Sequence, residues 1–427
     1  LSVYFLLIRP NQFRYIFSSG NIGGGENVHP DNEDPLDMIF ARALQGTSIF
    51  LSRDVLRTEY IPDQILFRDH QLKAIGGIFS PLLTGHKPSN LLIYGKTGTG
   101  KTVVTRYVLN RLLDKTKNTN LNVAIAYVNT RIASTEYRVL TEIGRNLDLQ
   151  LPFTGLSISE AFKRIAYHIK ERGSKAIFVL DEIDFLIKTS GDNLLYEFTR
   201  VNELLTQNSF VTLVGISNDL RFKESLDPRV LSSLNEEEVL FSPYSVDELK
   251  AILLDRVKYA FVPGTVDESA INLCAAMAGA EHGDARRAVD LLRVAGELAE
   301  RENANRVEDR HVNMAAKSIE RDRILEAIQS LPIHGKLILL AVSSFKDTEN
   351  TGRIYAKYTE ITKRIGIEPL TQRRISALLS ELDLLGLVSA PVVSRGRMGR
   401  SKKIRIAIPQ ETVRASLMDD ETIKALI

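Results

Sequence analysis

Gly95-Lys96-Thr97-Gly98-Thr99-Gly100-Lys101-Thr102 has the residue types and spacing of a phosphate-binding loop, and Val103 opens the helical run after it. Glycines let backbone N–H groups wrap an anion, and a helix N-terminus adds positive potential. A lysine at position 101 reaches the β and γ oxygens of a nucleoside triphosphate, and the Thr102 hydroxyl ligates Mg²⁺. Farther on, the apolar run AIFVLD ends in Asp181 followed by Glu182. Ligands of open α/β sheets bind at the carboxyl ends of strands, so Asp181 is expected to hold Mg²⁺ through water and Glu182 to activate the attacking water. Asn218 follows FVTLVGIS at the same expected sheet edge and can orient that water against the γ-phosphate. Arg229 in LDPRVLSSL and Arg286 in GDARRA offer guanidinium groups. Singly, an acidic pair caps a strand, an Asn makes a turn and an Arg lies on the surface. In this order beside a complete phosphate loop they form a set.

These residues need a parallel sheet to bring them together. Runs at 90–95, 122–128, 176–181, 210–217 and 237–241 are β-rich, short and alternate with helical patterns, as strands buried on both faces do. From 246 to about 325 helical periodicity takes over in VDELKAILLDRV, ESAINLCAAMAG and DARRAVDLLRVAGELAERE. The last hundred residues change again: YTEITKRIGI ends a helix at Gly366, and Thr371 can cap a second helix with Ile375, Leu378, Leu379 and Leu382 on one face. Alternating segments at 387–393 and 403–408 then predict a hairpin, completing the order of a winged helix. The expected organisation is a flexible tail over 1–50, a nucleotide-binding domain over 51–245, a helical domain over 246–325 and a winged helix over 326–427.

Composition agrees with a soluble multi-domain chain. It has 427 residues, 44% hydrophobic and 25% charged, which excludes collagen-like, wholly disordered and disulfide-stapled classes. The single cysteine, Cys274, has no partner for an internal disulfide or a zinc cluster, and a reducing cytoplasm suits it. No run of 18 apolar residues is present to span a membrane as a helix, and LSVYFLLIRP lacks the basic start and small-residue cleavage site of a signal peptide. The net charge of +2 hides an asymmetry: residues 331–427 hold 16 Lys and Arg against 10 Asp and Glu, while 1–330 hold 39 against 43. A basic C-terminal end fits a phosphate-backbone partner or a solvated surface.

That end also carries groups suited to DNA. The N-terminal residues of a recognition helix face the major groove, and here they are Thr371, Gln372, Arg373, Arg374 and Ser376. The hairpin tip bears Arg395, Arg397, Arg400, Lys402 and Lys403 with no acid, as phosphate or minor-groove contact requires. The alternative is a winged helix that contacts only protein.

The set at 95–102, 177–182, Asn218, Arg229 and Arg286 resembles the AAA+ ATPases: Walker A, Walker B, sensor one, arginine finger and sensor two. More narrowly, YIPDQILFRDHQL (60–72), VNTRIASTEYRVLTEIG (128–144), LDPRVLSSL, GDARRAVDLL and the winged helix resemble archaeal replication initiators related to origin recognition complex subunit one and cell division control protein six. The resemblance implies an α/β AAA+ domain with a parallel sheet, a helical lid and a winged helix. It implies ATP/ADP and Mg²⁺ as cofactors, with Tyr60, Pro62 and Arg68 at the rim of the adenine pocket. A brace for the sheet is the alternative for Tyr60 and Pro62. It also implies that residues 130–147 are a helical insertion presenting Arg138 and Arg145 to DNA, the alternative being a solvated basic face. The implied partners are double-stranded origin DNA, the replicative minichromosome maintenance helicase and other initiator subunits on DNA, in a cytoplasmic, nucleoid-associated protein.

Two other functions share this plan: an AAA+ DNA motor such as a branch-migration helicase, and a winged-helix transcription regulator with a vestigial ATPase. The full set of Asp181, Glu182, Asn218, Arg229 and Arg286 weighs against a vestigial site, and the insertion at 130–147 against the motor.

Overall fold

The computed structural model describes residues 48–427 except 118, 120, 153, 207, 235, 346, 395–399, 419 and 425–427, and for 392–394 and 400–401 it describes the backbone alone. The expected tail lies outside the described residues up to Thr47.

Five parallel strands form the first layer: β1 Asn90–Gly95, β2 Val123–Asn129, β3 Lys175–Asp181, β4 Phe210–Ser217 and β5 Glu236–Phe241, in the order β2-β3-β4-β1-β5. β3 and β4 are buried along their whole length, as runs of Ile, Phe, Val and Leu without alternation require. The helices around the sheet are α1 Asp69–Phe79, α2 Lys101–Thr116, α3 Glu136–Asn146, α4 Ile158–Glu171, α5 Ile183–Ser190, α6 Asn193–Arg200 and α7 Pro228–Leu234. β4 lies between β1 and β3, pairing Tyr94 with Ser217 and Asp181 with Ile216. The phosphate loop, Asp181 and Asn218 therefore emerge along one edge, at the carboxyl ends of their strands.

The lid comprises α8 Val246–Ala260, α9 Glu268–Ala280, α10 Ala285–Arg301 and α11 Asp309–Gln329. Ser245 and Glu248 close a capping box on α8, and Asp284 caps α10 by accepting from the amides of Arg286 and Arg287 at 2.8 and 3.1 Å. Two features differ from the expected boundaries. Ile49, Phe50, Val55 and Leu56 pack in the lid's core, although Ile49 and Phe50 belong to the expected tail and the others to the sheet domain. The cause is local: Phe50 packs against Phe261 with ring centres 4.6 Å apart and planes tilted by 31°, and a Cβ at Gly296 would lie 2.5 Å from the Phe50 ring, so only glycine admits the pair. The expected division at 325 falls inside α11, which runs unbroken from Val312 in the lid core to Ile328 in the next one.

The C-terminal module contains α12 Ile333–Ser343, β6 Glu349–Asn350, α13 Thr351–Arg364, α14 Gln372–Leu384, β7 Val388–Ser389, β8 Val392–Ser394, β9 Arg400–Ile406, α15 Gln410–Met418 and α16 Glu421–Lys424. Helix α13 begins seven residues before the expected YTEITKRIGI segment because Asn350 caps it, accepting from the Arg353 amide at 3.0 Å. Thr371 caps α14, whose Ile375, Leu378, Leu379 and Leu382 are buried. The first hairpin strand is split at Pro391, which has no N–H to donate, and β9 pairs with β6, β7 and β8.

Candidate functional site

Gly98 and Gly100 sit at φ 70° and 92°, a backbone region that side chains with a Cβ resist, and this turns the loop into α2. Lys101 follows, 6% exposed, with its ammonium donating to the carbonyls of Gly95 and Lys96, both at 2.7 Å, and to Asn218 Oδ1 at 2.8 Å. Burial pulls the Lys101 ammonium down to about 8; Asp181 opposes that and Arg286 adds to it. The Thr102 hydroxyl donates to Asp181 Oδ2 at 2.9 Å, and the Glu182 amide donates to Asp181 Oδ1 at 3.0 Å. Glu182 adopts φ 57°, ψ 40°, a left-handed conformation rare for a residue with a Cβ and frequent at functional positions. Its carboxylate meets Asn129 Nδ2 at 3.4 Å and Arg131 Nη1 at 3.6 Å. Asp184 fixes the Asn218 loop, accepting from the Ser217 hydroxyl at 3.0 Å and the Asn218 amide at 3.2 Å.

These groups face a cavity of about 320 Å³, in the range of small-molecule sites, whose wall includes Tyr60, Pro62, Gly98, Thr99, Gly100, Lys101, Thr102, Val103, Asp181, Glu182, Asn218 and Arg286. Gly95, Lys96 and Thr97 are not on that wall; Gly95 and Lys96 instead turn their carbonyls to Lys101. Arg68 departs from its expected place at the rim. It is 4% exposed behind the loop, donating to the carbonyls of Thr99 at 3.1 Å and Ser242 at 2.7 Å, with its guanidinium 3.6 Å from the Tyr244 ring centre. Arg229 is absent from the wall: its side chain is 81% exposed and paired with Asp227 at 3.0 Å.

The lid touches the loop directly. The Ala285 amide donates to the Gly98 carbonyl at 3.1 Å, and a Cβ on Gly98 would fall 1.8 Å from Asp284 Oδ1. Arg286, one residue on, enters the cavity wall. The residues also fit Mg²⁺. Among the described residues no cluster of three His, Cys, Asp or Glu could hold a metal unaided, whereas the Thr102 hydroxyl and Asp181 carboxylate are hard oxygen groups at the cavity, the few-ligand arrangement Mg²⁺ takes when phosphates and water complete its shell.

The expected DNA-facing groups lie elsewhere. Arg138 and Arg145 are exposed on α3, with Arg145 paired to Glu142 at 2.9 Å, while Leu140, Ile143 and Leu147 are buried beneath. Thr371, Gln372, Arg373 and Arg374 are exposed at the start of α14, and Ser376 is half-buried with its hydroxyl donating to the Gln372 carbonyl at 3.0 Å. Lys402 is half-buried and bonded to Ser380 of α14. Arg395 and Arg397 lie outside the described residues, as does the Arg400 side chain.

Family models match three stretches: an AAA domain over residues 85–222, a Cdc6 AAA+ ATPase-type lid domain over 250–317 and a CDC6 C-terminal winged helix domain over 326–416. An ORC1-type DNA replication protein 1 of Sulfurisphaera tokodaii is 45% identical over 384 residues, 89% of this chain and 96% of that protein. An ORC1-type DNA replication protein of Cenarchaeum symbiosum is 46% identical over 402 residues, 93% and 98% of the two chains. The chain belongs to the archaeal ORC1/Cdc6-type DNA replication initiators. In solved structures, the Aeropyrum pernix ORC1 protein in complex with DNA superposes with a TM-score of 0.83 at 44% identity, covering 89% of this initiator and all of that chain.

Several groups of the initiator's site carry no sequence signal of their own. Asn129, Arg131 and Tyr127 reach the acidic pair only because β2 is the neighbour of β3, in a register that pairs Asn129 with Asp181. Arg106 is the exception: it stands one helical turn beyond Thr102, and that i, i+4 spacing on α2 is a signal that could have placed it at the cavity. Arg256 and Arg293 come from α8 and α10 and reach the cavity wall only through lid packing.

Proposed function

We propose that this initiator binds ATP and Mg²⁺ in the cavity between sheet and lid and binds double-stranded origin DNA. ATP hydrolysis is slow and serves as a switch, and the DNA-bound protein helps recruit the replicative minichromosome maintenance helicase in the nucleoid. The observation that carries the reading is the convergence of Lys101, Asp181, Glu182, Asn218 and Arg286 on one cavity. Lys101 neutralises the β and γ oxygens, Asn218 orients the attacking water and Glu182 takes its proton. The Thr102 hydroxyl and, through water, the Asp181 carboxylate would hold Mg²⁺, which when bound would supply neutralising charge to the phosphates. Arg286 acts within the same chain, coupling nucleotide to lid position. Arg229, turned to solvent beside Asp227, acts on the nucleotide of a neighbouring subunit assembled on DNA.

DNA is engaged at two surfaces: Arg138 and Arg145 of the insertion helix, and the module containing Thr371–Ser376, Lys402 and the wing arginines Arg395, Arg397 and Arg400. The A. pernix relative's complex with DNA supports this reading, as do the exposed cations of α3 and α14. Mapping the protein across the genome tests it. Occupancy concentrated at replication starts supports the initiator; occupancy at promoters, or at recombination junctions, refutes it.

A further inference from the structure

Strand β2 contributes a residue that the nucleotide chemistry above leaves unused. In the parallel register Tyr127 pairs with Val179 and Asn129 with Asp181, so Tyr127 points to the same face of the sheet as Asp181, two residues back from the edge. Its side chain reaches forward and the hydroxyl donates to Asp181 Oδ2, the oxygen that also accepts from Thr102 at 2.9 Å. With the Glu182 amide on Oδ1 at 3.0 Å, the carboxylate receives three donors, and both of its torsions are fixed. Asp181 is 6% exposed, so these bonds form largely out of water. Above the Tyr127 ring sits Arg106, its guanidinium 4.3 Å from the ring centre. A cation over the ring draws electron density from the phenol and strengthens the hydroxyl as a donor. Arg106 is one turn beyond Thr102 on α2, so the helix that presents the Thr102 hydroxyl also presents this cation.

The structure assigns Tyr127, backed by Arg106, as the positioning residue of the Mg²⁺ site: it holds the Asp181 carboxylate in the orientation that the metal's shell meets. Tyr127 touches neither metal nor nucleotide in this assignment. The inference rests on the Mg²⁺ role proposed for Thr102 and Asp181. Partners that orient a metal-binding carboxylate typically change metal affinity about 10- to 100-fold when removed.

The test uses the full chain and fluorescent ADP, titrating Mg²⁺ at fixed nucleotide and separately measuring ADP affinity in EDTA. Tyr127→Phe keeps the ring and removes the hydroxyl. The expected result is a Mg²⁺ midpoint raised about tenfold, with metal-free ADP affinity unchanged. Arg106→Ala raises the midpoint by a smaller factor and Arg106→Lys restores most of it. Thermal unfolding without nucleotide confirms that each variant is folded. A Tyr127→Phe midpoint equal to wild type overturns the assignment, as does an equal loss of ADP affinity with and without Mg²⁺, which is what a packing role alone produces. Wild-type ADP binding indifferent to Mg²⁺ refutes the metal role itself, and the inference with it.

Discussion

Arg68→Ala tests whether a buried guanidinium behind the phosphate loop holds that loop in shape. Arg68 is 4% exposed, so solvent screens its contacts little. It donates to Thr99 O at 3.1 Å, Ser242 O at 2.7 Å and Phe67 O at 3.1 Å, and stacks 3.6 Å from the Tyr244 ring centre. Hydrogen bonds from a charged donor contribute about 1.5–3 kcal/mol each. A desolvated cation–π contact adds about 2 kcal/mol. Desolvation of the guanidinium, the largest influence on its lowered pKa, offsets part of this. The net loss on truncation is about 3–5 kcal/mol, since the carbonyls of Thr99, Ser242 and Phe67 each lose a donor, at about 1–3 kcal/mol for a buried acceptor left unpaired. Arg68→Lys, which keeps the charge and loses the fork, costs about half. Because the chain has no tryptophan, urea unfolding is followed by far-ultraviolet circular dichroism, with fluorescent-ADP affinity measured alongside. Thr99 belongs to the loop and Ser242 to the link between β5 and the lid, so ADP affinity falls together with stability. A variant that unfolds within about 1 kcal/mol of wild type and binds ADP equally well refutes the bracket, since even one such bond exceeds that difference.

Lys101, held at about 8 against 10.5 when unperturbed, loses its proton earlier in the folded chain than in the unfolded one; between those values its contribution to stability rises with pH while its attraction for phosphate falls. ADP binding near pH 9 therefore takes up a proton, seen as a buffer-dependent calorimetric enthalpy that Lys101→Arg abolishes. Glu182→Gln binds ATP as wild type does and hydrolyses it at least about 100-fold more slowly, the usual size of a general-base effect, read in single-turnover assays. Gly98→Ala places a Cβ 1.8 Å from Asp284 Oδ1 at φ 70°, so ADP affinity drops by about 1–3 kcal/mol, and adding Asp284→Ala recovers the steric part but not the backbone strain. Alanine at both Arg138 and Arg145 lowers the salt dependence of duplex binding by about two counterions, while Arg373→Ala or Arg374→Ala costs about 1–3 kcal/mol of discrimination between sequences.

The sheet and the loop were legible because their signals are local. Five apolar runs and one GxxxxGK[ST] turn state their own structure, and the strands fall within a residue or so of the expected limits. Arg68 was misplaced for the opposite reason: its position depends on Thr99, Ser242 and Tyr244, which approach it only when α1, β5 and the lid have packed. Tyr127 and Asn129 read as ordinary strand residues until the order β2-β3 and its register set them beside Asp181. Ile49 and Phe50 were hidden in a stretch whose composition speaks for a tail, and the space that accepts Phe50 is made by Gly296, more than two hundred residues away.

That distant packing ties the lip of the cavity to the lid. Ile49, Phe50, Val55 and Leu56 belong to the lid core, and the chain continues from them into Tyr60 and Pro62 on the cavity wall. Arg256 of α8 stacks 4.5 Å from the Tyr60 ring centre and ties the same lip to the lid. A lid that moved would therefore carry one wall of the cavity with it, together with Asp284 and Arg286. The lid's last helix, α11, passes without a break into the core of the winged helix. A stiff helix transmits rotation that a flexible linker would absorb, so a change in the set of the lid is expected to change where α14 points. Three prolines or glycines inserted midway along α11 would uncouple the two, leaving ADP affinity intact while erasing any difference in DNA affinity between the ADP- and ATP-bound protein; a difference that survives the insertion would place the coupling elsewhere.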